Sequence, residues 1–256
     1  MRGIQLVIKY DSLETKSLAR QISDNLQTAI FNGDVRADER LPSEHELAEK
    51  FEVSRPTIRE ALKILAARNL TRSRRGPSGG TFVKKPTREE VQEIISNTTT
   101  MLINSGELDF QSFHEARYEF ETFCCRLAAE RRKPEHLTKM KDECEIQKNP
   151  TTNHEDFCHS DVRFHRNIVD ATGNPLLRLI IDPVFDALQP IFNMAIYRYR
   201  NRDRIVSQHK QILAAIESHE ADKAVKVMVE QLDDLNEQMN KAHEWRKNRD
   251  RNLYQN

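Results

Sequence analysis

An aspartate and two histidines in the second half of the chain have the types and spacing of metal ligands. Asp161 and His165 are four residues apart, so on a helix they lie one turn apart on the same face. His209 falls in a later helical segment, from which it can face this pair across a bundle. Three such ligands with water would suit a divalent metal of the zinc or nickel type. The alternative is that these side chains only hydrogen-bond to one another or to an organic ligand.

Arg117 is a second group that could bind a ligand. It lies between Phe113 and Phe120 at helical spacing, so it borders an apolar stripe. An unpaired guanidinium there would be costly unless it met an anion. Glu121, one turn further on, offers the simpler alternative of an ion pair within the helix. Tyr197 is a further candidate for the lining of the same ligand cavity.

Helical patterns run through the whole segment that carries these residues. Apolar residues recur at helical spacing, and no alternating strand pattern is present. We therefore expect an antiparallel bundle of about six or seven helices at residues 87–246, followed by a polar tail at residues 247–256. Three apolar stripes are predicted: Phe113, Ala116, Phe120, Phe123 and Leu127, then Phe164, Ile168, Ala171 and Leu176, then Ile205, Ile212, Leu213 and Ile216.

Residues 1–86 show a different pattern, in which two short helices follow a first one and are joined by a tight turn. Ser43 and Glu46 have the spacing of a capping box. Ser54 is a good helix cap, and Pro56 must lie in a first helical turn because it has no N–H to donate. So short a connection is typical of a helix-turn-helix.

Basic residues and glycines follow in a pattern suited to DNA. From residue 54 to residue 85 one acid, Glu60, stands against nine basic residues: Arg55, Arg59, Lys63, Arg68, Arg72, Arg74, Arg75, Lys84 and Lys85. Two strand-like segments flank a Gly-Pro-Ser-Gly-Gly turn, which predicts a two-stranded wing. The candidates for DNA contact are Arg55, Thr57, Arg59 and Lys63 on the second helix of the pair, with Arg74, Arg75 and Gly79 on the wing.

The segment from Arg40 to Val83 resembles the DNA-binding domain of the GntR family of bacterial transcriptional regulators. Its sequence is RLPSEHELAEKFEVSRPTIREALKILAARNLTRSRRGPSGGTFV, with Leu-Pro-Ser-Glu, Arg-Glu-Ala-Leu and a glycine-rich wing in the order of that family. The resemblance implies that Arg55, Thr57 and Arg59 contact operator DNA. It also implies that the wing enters the minor groove at Gly79.

The helical segment resembles the FadR-type subgroup, which has an all-helical effector domain called FCD. EARYEFETFCCRLAAERR, DVRFHRNIVDATGNPLL and QHKQILAAIESHEADKA carry that match, within residues 87–240. The resemblance implies that Arg117 helps to bind the carboxylate of a small organic acid. It also implies a metal site of three histidines and one aspartate, where Gln231 replaces the third histidine of many relatives. An amide oxygen suits harder ions better than zinc or nickel.

Length and composition favour two domains and a soluble, cytoplasmic protein. The chain has 256 residues, 38% of them hydrophobic and 31% charged, with 40 basic and 40 acidic residues. It has no apolar run of membrane-spanning length, and its first residues lack the apolar length and cleavage signature of a secretory signal. Its four cysteines lack paired spacing, so we expect free thiols.

The sequence therefore predicts a mainly α-helical protein with an N-terminal winged helix-turn-helix and an all-α bundle. The expected function is a ligand-responsive transcriptional regulator and not an enzyme. We expect a homodimer that represses at double-stranded operator DNA and is released by a small organic acid. Two alternatives stay open. The helical domain could be an architectural dimer without an effector, or a metal-dependent enzyme fused to a DNA-binding domain.

Overall fold

The computed structural model describes residues 17–253, apart from the side chains of residues 189–196, 243 and 245–253. Residues 1–16, for which no secretory signal is expected, and residues 254–256 of the predicted tail lie outside the described residues. The chain divides into two compact units, residues 1–87 and 88–256. No helix within the described part is long and apolar enough to cross a membrane.

From residue 17 onwards, the first unit contains three helices: α1 (Leu18–Asn32), α2 (Glu44–Lys50) and α3 (Arg55–Ala67). The capping box of Ser43 and Glu46 is present at the start of α2. The Ser54 side chain accepts the backbone N–H of Thr57, and proline occupies the first turn of α3, as predicted. The predicted helix-turn-helix is confirmed. Its core contains Ile22, Leu26, Leu41, Leu47, Ile58, Leu62, Leu65 and Val83.

A two-stranded antiparallel sheet follows α3 and forms the predicted wing. Strand β1 (Thr71–Arg74) pairs with β2 (Gly80–Val83), and the register places Arg74 opposite Gly80. Gly79 lies in the tight tip between the strands. A Cβ atom at this position would lie 2.5 Å from the carbonyl oxygen of Arg74 and 2.7 Å from that of Gly76, so only glycine fits the turn.

Seven helices in the described part of the second unit form the predicted bundle. They are α4 (Arg88–Asn104), α5 (Phe110–Arg131), α6 (Pro134–Lys148), α7 (His154–Ala171), α8 (Pro175–Ile196), α9 (Arg202–Glu217) and α10 (Ala221–Leu253). Helix α5 packs against α7 and α10, and α9 packs against α6 and α10. The predicted tail from residue 247 is helical as far as Leu253. A mainly α-helical fold with one small sheet is thus confirmed.

The apolar stripe predicted for α5 is wrong. Phe120 and Phe123 are 42% and 49% exposed, whereas the opposite face of the helix is buried. That buried face consists mainly of the small residues Cys124, Cys125, Ala128 and Ala129, which allow α5 to lie close to its neighbours, and it also includes His114 and Glu121. Leu176, at the exposed start of α8, is also 59% exposed. Ile205 is half-buried. The other residues of the second and third stripes are buried: Phe164, Ile168, Ala171, Ile212, Leu213 and Ile216.

Candidate functional site

The exposed face of α3 carries the side chains predicted to meet DNA. Arg55, Arg59 and Lys63 are exposed, and Thr57 is half-buried. The Thr57 hydroxyl lies 2.8 Å from the hydroxyl of Ser54, so the helix cap also holds this side chain. Side chains in the opening turns of such a helix are the ones that can enter a major groove.

Arg59 is held by a carboxylate from the preceding helix. Its Nη2 and Nε donate to the two carboxylate oxygens of Glu44, on α2, over 2.8 and 3.3 Å. Hydrogen bonding from Arg59 lowers the pKa of Glu44, and the same bond raises the pKa of Arg59. A two-point contact of this kind fixes the plane of a guanidinium. The sequence pattern did not predict this bond across the helix-turn-helix.

Acids from outside residues 54–85 balance part of the basic surplus. Arg68 donates to Asp24 of α1 over 2.8 Å. Arg72, on β1, is paired with Asp38. The ion pair of Arg59 with Glu44 is a third example. The positive field of this unit is therefore weaker than the count along the segment indicates.

The wing carries two arginines, Arg74 and Arg75, beside a tip at which Gly79 has no side chain. The guanidinium carbon of Arg74 lies 5.0 Å from the centroid of the Phe82 ring, a cation–π contact. Arg75 is exposed next to the turn. Because Gly79 has no side chain, the backbone of the tip can approach a narrow groove closely.

The three predicted metal ligands lie together inside the bundle. Asp161 and His165 belong to α7 and His209 belongs to α9. Oδ1 of Asp161 lies 3.4 Å from Nε2 of His209 and 4.0 Å from Nε2 of His165. One ligand atom from each residue lies within 4.8 Å of the other two. With metal–ligand bonds of about 2.0–2.2 Å, these separations suit three ligands of one ion.

Two neighbouring side chains orient the imidazole rings. Nδ1 of His165 donates to the carboxylate of Glu121. Nδ1 of His209 lies 2.7 Å from Oε1 of Gln147 and donates to it. In both rings Nε2 is then the nitrogen that faces the cluster. Metal-binding histidines usually have such a partner, which fixes the tautomer and the ring orientation.

Burial and neighbouring charges set the protonation states at this cluster. Burial lowers the pKa of His209 to about 3, so its ring is neutral. Burial raises the pKa of Asp161, but nearby positive charge, including that of Arg200 and Arg117, outweighs it and the pKa falls below its usual value. Burial also opposes ionisation of Glu121, yet Arg117 and His165 hold its pKa at about 2. Neutral imidazole and ionised carboxylate are the forms that bind a metal.

Gln231, on α10, contacts the same ring of His209. Its Nε2 lies 2.7 Å from Nε2 of His209 and donates to the lone pair of that nitrogen. Its Oε1 is buried and has no hydrogen-bond partner among the described residues. Reversing the amide would place this oxygen beside Nε2 of His209 and free the lone pair for a metal. The donor set thus fits a divalent ion, with two imidazole nitrogens and two oxygens.

Arg117 forms the ion pair that its spacing from Glu121 suggested. Its Nε donates to Oε1 of Glu121, whose Oε2 accepts from His165. The Arg117 and Glu121 side chains are 12% and 3% exposed. The guanidinium carbon also lies 5.4 Å from the centroid of the Phe185 ring. Because a guanidinium has five N–H donors, this ion pair does not preclude contact with an anionic ligand.

One small cavity brings Arg117 and the metal-type cluster together. Arg117, Asp161 and His165 line this cavity, whose volume is about 40 Å³. That volume accommodates a few water molecules or one small polar group. Further lining side chains include Arg200, Arg204, Gln208 and Gln231.

Tyr197 is not among the residues that line this cavity. Its side chain is 61% exposed, and its ring packs edge-on against His154 with the centroids 4.4 Å apart. Tyr197 is the C-cap residue of α8. Helical spacing therefore no longer predicts which way its side chain points. Arg200, three positions later, lines the cavity instead.

Curated relatives of similar length are transcriptional regulators. The chain is 28% identical over 228 residues to the HTH-type transcriptional repressor NanR of Escherichia coli (strain K12), covering 87% of this chain and 84% of that protein. It is 29% identical over 226 residues to the uncharacterized HTH-type transcriptional regulator YcbG of Bacillus subtilis (strain 168), covering 88% and 91%. The solved structure of Streptococcus agalactiae GntR shares the fold, with a TM-score of 0.53, 23% identity and coverage of 85% and 98%.

Two family profiles match the two units. Residues 18–83 match the bacterial regulatory proteins of the gntR family. Residues 112–249, more than half of the chain, match the FCD domain. The chain therefore belongs to the GntR family of bacterial regulatory proteins and carries an FCD domain.

Proposed function

We propose that this protein is a transcriptional repressor that a small organic acid releases from its operator. Membership of the family makes it a ligand-responsive DNA-binding regulator, and one of its relatives is named a transcriptional repressor. The observation that carries the proposal is the cavity inside the bundle, where Arg117 lies beside the cluster of Asp161, His165 and His209. A helical domain with only a pairing role would have no need of these buried polar groups.

On the DNA side, we assign base contacts to the first turns of α3. Arg55 and Arg59 suit guanine, whose O6 and N7 accept two hydrogen bonds from a guanidinium, and Thr57 suits either a base edge or a phosphate. Lys63, one turn further on, suits a phosphate. Arg74 and Arg75 contribute charge from the wing, with the Gly79 tip in the minor groove.

Two copies would bind one operator as a homodimer. A single helix-turn-helix binds weakly, and two-fold symmetry in the protein matches two half-sites in the DNA. The effector domain is the part assigned to pairing. Such a regulator acts where bacterial DNA is, in the cytoplasm, and the proposal assigns no catalytic turnover to the bundle.

The effector is assigned to the cavity of Arg117. A guanidinium binds a carboxylate through two parallel hydrogen bonds. Asp161, His165 and His209 would hold a divalent metal, with the amide oxygen of Gln231 as a fourth ligand after its reversal. A metal bound there supplies positive charge that attracts the carboxylate of the acid.

The operator requires one particular spacing between the two DNA-binding domains of the dimer. The acid releases the protein from DNA if the acid-bound bundle disfavours that spacing. A ligand shifts a conformational equilibrium only by its difference in affinity for the two states. By linkage, DNA must then weaken binding of the acid by the same factor as the acid weakens binding of DNA.

The proposal is tested with purified full-length protein and a labelled DNA fragment from upstream of its own gene. Fluorescence anisotropy would measure operator affinity with and without a panel of small carboxylic acids, beside the variant Arg117→Gln. We expect one acid to weaken operator binding of the wild type and to leave the variant unaffected. Tighter operator binding with that acid would exclude release as the mechanism. Elemental analysis of wild type and His165→Ala would show whether a metal is retained at the cluster.

A further inference from the structure

One face of α5 is apolar although it lies at the surface of the bundle. Phe120 and Phe123 are 42% and 49% exposed. The same stripe continues through Phe113, Ala116 and Leu127, which are half-buried or exposed. These five residues are the outer face of α5. Isolated apolar side chains are ordinary on a protein surface, whereas large ones side by side mark an interaction site.

The outer face of α5 has the spacing of a helix that packs lengthwise on another helix. Its residues follow one another at alternating intervals of three and four, which is the seven-residue repeat of paired helices. The buried face of the same helix already packs against α7 and α10. A further helix is therefore the kind of surface that the outer face fits.

Two opposite charges beside the outer face indicate which helix this is. Glu119 and Arg126 are both exposed, and they lie seven residues, about two turns, apart. Two copies of α5 related by a two-fold axis between Phe120 and Phe123 run antiparallel. Glu119 of each copy then lies beside Arg126 of the other. A parallel pair would instead place Glu119 at the level of its own copy, two turns from Arg126.

We propose that two copies of this protein pair through the outer face of α5. The inference rests on the homodimer proposed above, to which it adds the pairing surface. Phe120 and Phe123 form the apolar centre of the contact. Two ion pairs between Glu119 and Arg126 fix the antiparallel direction. The present pair of Arg126 with Asp222 is 52% and 94% exposed, so the guanidinium has donors left for a second acceptor.

Charge reversal tests this pairing in the full chain. Glu119→Arg alone would place like charges together at both ends of the contact, and so would Arg126→Glu alone. Each variant should raise the dissociation constant of the dimer at least about fivefold, as measured by fluorescence-detected sedimentation.

An equal mixture of the two variants should restore pairing. A chain with basic side chains at both positions then meets a chain with acidic ones, so both ion pairs form again. Energy transfer between differently labelled N-termini should detect mixed dimers with a dissociation constant within about threefold of the wild-type value. Glu145→Arg, at an exposed acid of α6, is the matched control and should dimerise as the wild type does.

A second kind of variant removes the apolar centre without adding charge. Phe120→Ser combined with Phe123→Ser should raise the dissociation constant at least about tenfold. Both side chains are largely outside the core of the bundle, so thermal melts should show a folded protein.

Three outcomes would count against the proposal. A wild type that dimerises equally well with and without the substitutions on α5 would overturn this surface and leave the homodimer intact. Single variants that weaken the dimer and do not recover in the mixture would overturn the antiparallel arrangement. A wild type that is monomeric at concentrations that saturate its operator would overturn the proposed homodimer as well.

Discussion

The two units use ion pairs of arginine and glutamate in opposite ways. In the DNA-binding unit Arg59 and Glu44 form a pair on the surface, with side chains 60% and 32% exposed. In the bundle Arg117 and Glu121 form a pair inside, with side chains 12% and 3% exposed. Water screens the first pair and hardly reaches the second. The surface pair can open at small cost, whereas opening the interior pair would leave a buried charge without its partner.

Among the variants that test this comparison, Arg117→Met should have the largest effect. It leaves the charge of Glu121 buried without its arginine, and losing one partner of a buried pair costs about 3 kcal/mol or more of unfolding free energy. Urea denaturation of the full chain would measure that loss for the bundle. Arg126→Met is the matched control, since Arg126 and its partner Asp222 are 52% and 94% exposed. The control should lose less than about 1 kcal/mol. Equal losses in the two variants would contradict the contrast between interior and surface pairs.

Arg59→Gln should have the opposite result, a large effect on operator affinity and a small effect on stability. We expect operator affinity to fall by about tenfold to a hundredfold, because the two-point base contact proposed for Arg59 would be lost. The melting temperature should hardly change, because the pair with Glu44 is exposed. Anisotropy and thermal melts of the same preparation would measure both quantities. A large drop in melting temperature with unchanged operator affinity would show that Arg59 serves the fold and not DNA recognition.

Gln231→His should change metal preference with little effect on DNA binding in the absence of metal. An imidazole in place of the amide gives the cluster a third nitrogen, so affinity for Ni²⁺ should rise by about tenfold. Competition with a chelating dye would measure it. Gln211→His adds a histidine at an exposed position of α9 and should leave the affinity unchanged. An equal increase in both variants would mean that Ni²⁺ binds at the surface and not at the predicted cluster.

The DNA-binding unit was predictable from sequence because its signals are local. Caps at Ser43 and Ser54, a proline in the first helical turn and glycines at the wing tip each act within a few residues. These signals gave the helix-turn-helix and the wing nearly to the residue. The bond from Arg59 to Glu44 joins residues 15 apart, and no local rule predicts it.

The bundle was predictable as a fold but only partly as a site. Spacing predicted that Asp161 and His165 share one face, and the structure brings His209 to them. The same kind of pattern misplaced Phe120 and Phe123, because α5 has apolar residues on two faces and periodicity alone does not say which is buried. Support of the histidines by Glu121 and Gln147 spans 44 and 62 residues of chain, so it follows from packing and not from spacing.

The smallest expected effects come from Ser54→Ala and from its counterpart in the bundle, Asn153→Ala. Together the two variants compare one helix cap in each unit. Ser54 caps α3 and Asn153 caps α7 through a side-chain oxygen that accepts a backbone N–H. Loss of either cap should cost about 1 kcal/mol of unfolding free energy. Only Ser54→Ala should also weaken operator binding, because Ser54 holds the Thr57 hydroxyl at 2.8 Å. Thermal melts and anisotropy would measure the two effects. Equal weakening of operator binding by both variants would mean that the DNA-binding surface depends on general stability and not on the cap that positions it.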